Sequence, residues 1–263
     1  MSVDPTDYWE KAGSVGYGEA MFENRLVERH VNQRLWDIAI EIGRQLGLDS
    51  ASRVLDLGCG DGAFANHALA PNFAAVDGFD LSEAAINRAR ANAAGRHVNF
   101  SSRDITQLDF VDMPRYDGAF LIGILHHVKT AAPAIIRALR GVTDRVIVLE
   151  PNGSNLLRKF LELTPTYRAA GEDSFRRHQL ERLFANAGYR AVMWRRLNLF
   201  PNFTPLPLFR LLKRFEPTIE ATPVLRALCT VDMYGYRAEQ YNAAVEAGRS
   251  DRYPTNARHQ FPA

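Results

Sequence analysis

The chain has 263 residues, 46% of them hydrophobic, which is enough to bury a sizeable core in one domain with a small appended lid. Lys and Arg number 32 against 30 Asp and Glu, and a formal charge of +2 with no basic stripe gives no electrostatic case for nucleic acid. The two cysteines, Cys59 and Cys229, lack the spacing of a disulfide framework or a zinc site, and no apolar run reaches membrane-spanning length, so a reducing, cytoplasmic setting is expected.

Near the N-terminus Tyr8, Trp9, Tyr17, Met21 and Phe22 form an apolar cluster in a glycine-containing stretch that reads as flexible. After Asn24 the residues Leu26, Val27, Val31, Leu35, Ile38, Ile42 and Leu46 recur at helical spacing and Gly47 follows, which predicts one amphipathic helix with a stop. Alternation then begins: strand 53–57, helix 62–70, strand 74–79, helix 82–93, strand 98–101, strand 116–122, helix 131–139 and strand 144–149. Pro133 near a helix start and Gly95 after a helix end agree with capping preferences. Beyond Pro151 a helix at 175–187, a strand at 190–197 and a last strand at 228–236 complete an α/β reading, a doubly wound, mostly parallel sheet with helices on both faces.

The chemistry concentrates at Val54-Leu55-Asp56-Leu57-Gly58-Cys59-Gly60-Asp61-Gly62-Ala63, where an apolar strand breaks into alternating glycines and then a helix. Such a turn lets a ligand press against backbone N–H groups at a helix start. On its own the pattern also fits a dinucleotide-binding fingerprint. The flanking acids separate the two readings. Asp56 lies inside the strand, where a carboxylate suits an ammonium and does nothing for a phosphate, and Asp80 ends the next strand at the distance of a ribose clamp. Ammonium at one end and ribose at the other describe S-adenosylmethionine.

Four ordered segments carry a family resemblance: Val54 to Ala65, Gly78-Phe79-Asp80-Leu81-Ser82, Arg103-Asp104-Ile105, and Tyr116-Asp117-Gly118 through Leu125-His126-His127. They resemble successive motifs of the class I S-adenosylmethionine-dependent methyltransferases, with the likeness strongest from Arg53 to about Asn152. The resemblance implies a seven-stranded sheet whose last two strands form an antiparallel pair, and S-adenosylhomocysteine as product. It assigns Asp56, Gly58, Cys59, Gly60, Asp61 and Gly62 to the methionine end, Asp61 also serving as a helix N-cap. Asp80 goes to the ribose, Leu81 and Ile105 to the adenine faces, Asp104 to the adenine amino group, and the backbone at Leu121 and Ile122 to the methionine moiety. Residues 1–50 are expected as a helical cap over the cofactor, with Tyr17 closing on the methionine side.

The chain lacks the Asn-Pro-Pro-Tyr-like tetrapeptide with which many relatives hold planar amines, which leaves a small-molecule acceptor: a hydroxyl, carboxyl, carbon or flexible amine. A hydroxyl gains from a base, and His127 is preferred to His126 for that role, with Glu150 lining the acceptor pocket; structural roles are the alternatives for all three. No metal site is expected. The domain is bounded at 51–237, with an insertion at 199–227 too apolar for a solvated loop: packed cover, lid over an apolar, lipid-like or glycan-linked acceptor, or a patch making transient membrane-surface contact. The tail, 238–263, reads as partly disordered. The competing functions are a non-methylating or regulatory cofactor-binding protein on the same fold, and a nicotinamide-dependent oxidoreductase.

Overall fold

A computed structural model describes residues 5–93, 97–107, 110, 113–164 and 173–239; Gly95 and the tail from residue 240 lie outside that set. The strands are β1 Arg53–Leu57, β2 Ala75–Asp80, β3 Val98–Ser102, β4 Gly118–Ile122, β5 Arg145–Pro151, β6 Tyr189–Leu197 and β7 Val231–Ala238. They form one seven-stranded sheet in the order β3-β2-β1-β4-β5-β7-β6. β1 to β5 pair in parallel, while β7 runs antiparallel to both β5 and β6, as the expected C-terminal strand pair requires.

Alternation along the strands sends side chains to two cores. In β1, Val54 packs on the face covered by helix α3 (Arg25–Gln45), whereas Leu55 and Leu57 pack on the opposite face, against α5 (Ala132–Leu139) and α7 (Arg177–Asn186). Asp56 shares the face of Val54 but sits at the carboxyl end, where β1 and β4 diverge and ligands bind in open α/β sheets. Local signals start the helices. Asn24 Oδ1 accepts from Leu26 N at 2.9 Å to cap α3, and Ser82 Oγ accepts from Ala85 N at 3.0 Å to cap α4 (Glu83–Asn92).

The N-terminal stretch, whose local pattern reads as flexible although a helical cap is expected over 1–50, is helical: α1 spans Pro5–Val15 and α2 spans Tyr17–Met21. Tertiary contact supplies what the local pattern lacks. At Gly13, α1 lies so close to α4 that a Cβ would stand 2.7 Å from Ser82 Oγ, and Glu10 accepts from Ala84 N at 3.0 Å. Two further boundaries move. The helix after the glycines opens into a π-helical turn at Ala65–Leu69, and the last strand starts at Val231 because Leu225–Leu228 form a 3₁₀ turn first.

Residues 199–228 hold α8 (Leu206–Leu212) and α9 (Glu216–Ala221), with Phe200 and Phe209 buried in the α3-side core. An ionic clasp ties this segment to α3. His30 Nε2 lies 2.8 Å from Glu216 Oε2, Arg34 binds Glu220 and lies 3.5 Å from Glu216, and the Leu199 and Asn198 amides donate to Glu216 (3.0 Å) and Glu220 (2.7 Å). Among the described residues no helix is long and apolar enough to cross a membrane.

Candidate active site

The glycine turn is built for close approach. Gly58, Gly60 and Gly62 have φ of +74°, +56° and +74°, the left-handed region that other residues resist. A Cβ on Gly58 would stand 2.5 Å from the Ile124 side chain, and one on Gly60 would stand 2.5 Å from the Tyr17 ring. Two acids frame the turn. Asp80 accepts from Gly60 N at 2.9 Å and from Ser82 N at 3.0 Å, so it locks the second glycine in place, and it lines the cleft. Burial raises its pKa, and those two backbone donors oppose the rise.

Asp56 is different in kind. It is buried, lines the cleft, and its Oδ2 has no hydrogen-bond partner. Desolvation, with a lesser push from Asp80, raises its pKa to about 8. A buried acid without a partner is poised for one: a ligand ammonium would favour its ionised form and then match it in charge and in hydrogen-bonding capacity.

Tyr17 caps this end. Its ring covers Gly60, its backbone N–H donates to Asp61 Oδ2 at 3.0 Å, and Trp9 meets the ring edge-on at 5.8 Å. Burial drives the Tyr17 hydroxyl pKa upward, so it stays protonated. Asp61 Oδ1 also accepts from Ala63 N at 3.3 Å, consistent with a helix-start role beside the Tyr17 contact. Cys59 is buried and lines the cleft, its thiol pKa pushed up by burial. At the far end Leu81, Asp104 and Ile105 line the cleft together; Leu81 is half exposed, Ile105 buried. Asp104 is held by Thr106 N (2.9 Å), Thr106 Oγ1 (2.7 Å) and Gln107 Nε2 (2.9 Å), which fixes its orientation. Ile122 and Gly123 line the cleft, while strand alternation turns the Leu121 side chain into the core beneath α5, which leaves its backbone alone to meet the expectation.

Glu150 ends up as a support for the β4 loop. It accepts from Leu125 N (2.8 Å) and His126 N (3.2 Å), and one oxygen lies 2.8 Å from His126 Nδ1. The buried His126 ring lines the cleft beside this carboxylate. His127 also lines the cleft and meets the Trp9 ring edge-on at 4.4 Å. No cluster of three or more His, Cys, Asp or Glu suited to a metal occurs among the described residues.

The cleft, about 1610 Å³ in all, continues past Ile122 and Ile124 between Met21, Phe22, His30, Leu157, Phe200, Phe203 and Val231. Leu157 belongs to α6 (Leu156–Leu161), a helix that the sequence pattern gave no periodicity to find, being under two turns long; its signal is the N-cap Asn155, whose Oδ1 accepts from Arg158 N at 3.1 Å.

A methyltransferase-domain family profile matches residues 54–145, the stretch that contains both framing acids, the glycine turn and the β4 loop. Residues 54–145 are thus similar to a methyltransferase domain. The sequence is 36% identical over 96 residues, 36% of this chain and 38% of that protein, to a ubiquinone biosynthesis O-methyltransferase from Alkalilimnicola ehrlichii. The chain thus spans well under half the length of that curated relative. The methyltransferase fold extends further than the sequence match. Magnesium protoporphyrin IX methyltransferase from Synechocystis PCC 6803, solved with S-adenosylhomocysteine, superposes with a TM-score of 0.56 at 18% identity, covering 82% of this chain and 88% of that one. The [4+2]-cyclase SpnF superposes with a TM-score of 0.61 at 17% identity, covering 89% and 97%. The methyltransferase fold is thus shared with a protein named for a cyclisation, and function must be argued from the site.

Proposed function

We propose that this protein transfers a methyl group from S-adenosylmethionine to a hydroxyl of an apolar small molecule. The single observation behind the cofactor is Asp56: a buried, partnerless carboxylate at the end of β1, beside glycines that leave room for a ligand against backbone. In this reading Asp56 holds the ammonium and Asp80 the ribose hydroxyls. Asp104, Ile105 and Leu81 hold the adenine, and Ile122 with Gly123 borders the methionine chain. S-adenosylmethionine supplies the electrophilic methyl group. The chain supplies alignment and exclusion of water, with Tyr17, α1 and α2, within the 1–50 cap, covering the methionine end.

In this reading His126, whose ring lines the cleft with Nδ1 2.8 Å from Glu150, takes the hydroxyl proton, and Glu150 orients the ring and stabilises the imidazolium that forms. Glu150 is therefore a positioning residue, and His127 a packing partner of Trp9. The apolar continuation of the cleft toward Leu157, Phe200, Phe203 and Val231 favours a hydrophobic acceptor, with residues 199–227 as a wall and rim of its chamber in addition to packing on α3. Two buried, free cysteines suit a reducing compartment such as the cytoplasm. Transfer of radiolabelled methyl from S-adenosylmethionine into a panel of apolar phenols and alcohols tests the reading. Label should enter an acceptor with the parent chain and not with Asp56→Ala. Tight cofactor binding with no labelled product from any acceptor would instead favour the non-methylating reading.

A further inference from the structure

Two segments that meet at the mouth of the cleft expose more large apolar side chains than packing explains. In α6 and its C-terminal turn, Leu156, Leu157, Phe160 and Leu163 are exposed, Leu156 by 76% and Phe160 by 71%. Across the cleft Leu208, Leu211, Phe215, Val224, Leu225 and Leu228 are exposed, Val224 by 80%. The segments are joined: Asn155 Nδ2 donates to Leu228 O at 3.0 Å and to Cys229 O at 3.3 Å. Leu157, Leu161, Phe203 and Val231 carry the apolar surface from this rim into the cleft. Scattered apolar residues are normal on a surface, but a contiguous patch at a cleft mouth marks an interaction site.

The charges on the rim select the partner. The acids of segments 154–164 and 199–228 are Glu162, Glu216 and Glu220. All three are turned inward: Glu162 binds Lys159 and Ser174, and Glu216 and Glu220 bind the clasp on α3. The cations Arg210, Lys213, Arg214 and Arg226 edge the apolar side chains, with Lys213 Nζ 5.7 Å from the Phe209 ring centre and the Arg214 guanidinium 4.8 Å from that of Phe215. A second copy of the chain would bring two such basic edges together. An anionic bilayer surface accepts both parts, the leucines and phenylalanines below the headgroups and the cations at them.

We propose that the rim formed by α6 and residues 203–228 docks on an anionic membrane surface and sets the cleft mouth against it, so that a lipid-dissolved acceptor enters without crossing water. This deepens the apolar-acceptor reading, but vesicle binding can be measured without any acceptor. The experiment is flotation of the full chain with vesicles of phosphatidylcholine alone and with 30 mol% phosphatidylglycerol, about that fraction being enough to give a strongly negative surface. The chain should float with the anionic vesicles and much less with the neutral ones, and 0.5 M salt, at a Debye length of roughly 4 Å, should release it. The exposed-site double substitution Phe160→Glu/Val224→Glu should lower binding about tenfold or more, as should Lys213→Ala/Arg214→Ala/Arg226→Ala, each with an unchanged melting temperature. No flotation of the parent chain would overturn the proposal. So would equal flotation of the variants, or a dimer in sedimentation that the same substitutions dissociate while vesicle binding is absent. S-adenosylhomocysteine titration run in parallel reads the cofactor site alone, so failure there and failure to float are separate results.

Discussion

Replacing Asp56 with asparagine separates the two things its carboxylate does. In the folded chain its pKa is raised from 3.8 to about 8, by burial first and Asp80 second. Between those two values the folded protein holds one more proton than the unfolded chain, so raising the pH works against folding by about 1.4 kcal/mol per unit until the group ionises near pH 8. Asparagine does not titrate, and whatever its amide costs in that site is the same at every pH. The stability of Asp56→Asn relative to the parent should therefore grow by about 2–3 kcal/mol between pH 6 and pH 9, measured by urea unfolding without ligand. The same substitution should weaken S-adenosylhomocysteine binding about 10–100-fold, the worth of a hydrogen bond to a charged group in a dry site. A stability difference that stays constant from pH 6 to pH 9 would refute the buried, partnerless carboxylate. Unchanged affinity would refute its role as ammonium acceptor.

Gly60→Ala must accept a φ of +56° and a Cβ 2.5 Å from the Tyr17 ring, so it should lose about 2–4 kcal/mol of stability and most cofactor affinity, both read by thermal shift with and without ligand. Once an acceptor is in hand, His126→Ala should lower kcat about 100-fold or more with cofactor affinity retained, while Glu150→Gln should lower it less and Glu150→Asp should recover part of the loss. Equal kcat for His126→Ala and the parent would remove the base. Glu216→Ala strips His30, Arg34 and the Leu199 amide of their shared acceptor, and should cost about 3–5 kcal/mol in urea unfolding while leaving cofactor affinity in place.

The parallel core was legible because its signals are local and redundant. Strand 53–57 is bounded by a change of composition, and the helices after Asn24 and at Ser82 carry caps that the structure uses. The framing acids were legible too, because a carboxylate inside an apolar strand has few structural uses. What sequence left open depends on contacts far apart in the chain. The helicity of 5–21 rests on Gly13 nesting against α4, and the support of the β4 loop rests on Glu150 reaching back to Leu125 and His126. The Leu121 side chain faces the core while that of Ile122 faces the cleft, because adjacent strand positions face opposite sides. The insertion divided itself: Phe200 and Phe209 face α3 while Val224 and Leu228 face out, a split that proline-broken periodicity could not show.

The account stands or falls on what the Asp56 and Asp80 ends of the cleft recognise. Calorimetric titration of the intact chain with S-adenosylhomocysteine and, separately, with NAD tests that directly. Saturable binding of S-adenosylhomocysteine, lost in Asp80→Ala, with no heat from NAD is the predicted result. NAD binding without S-adenosylhomocysteine binding would contradict it.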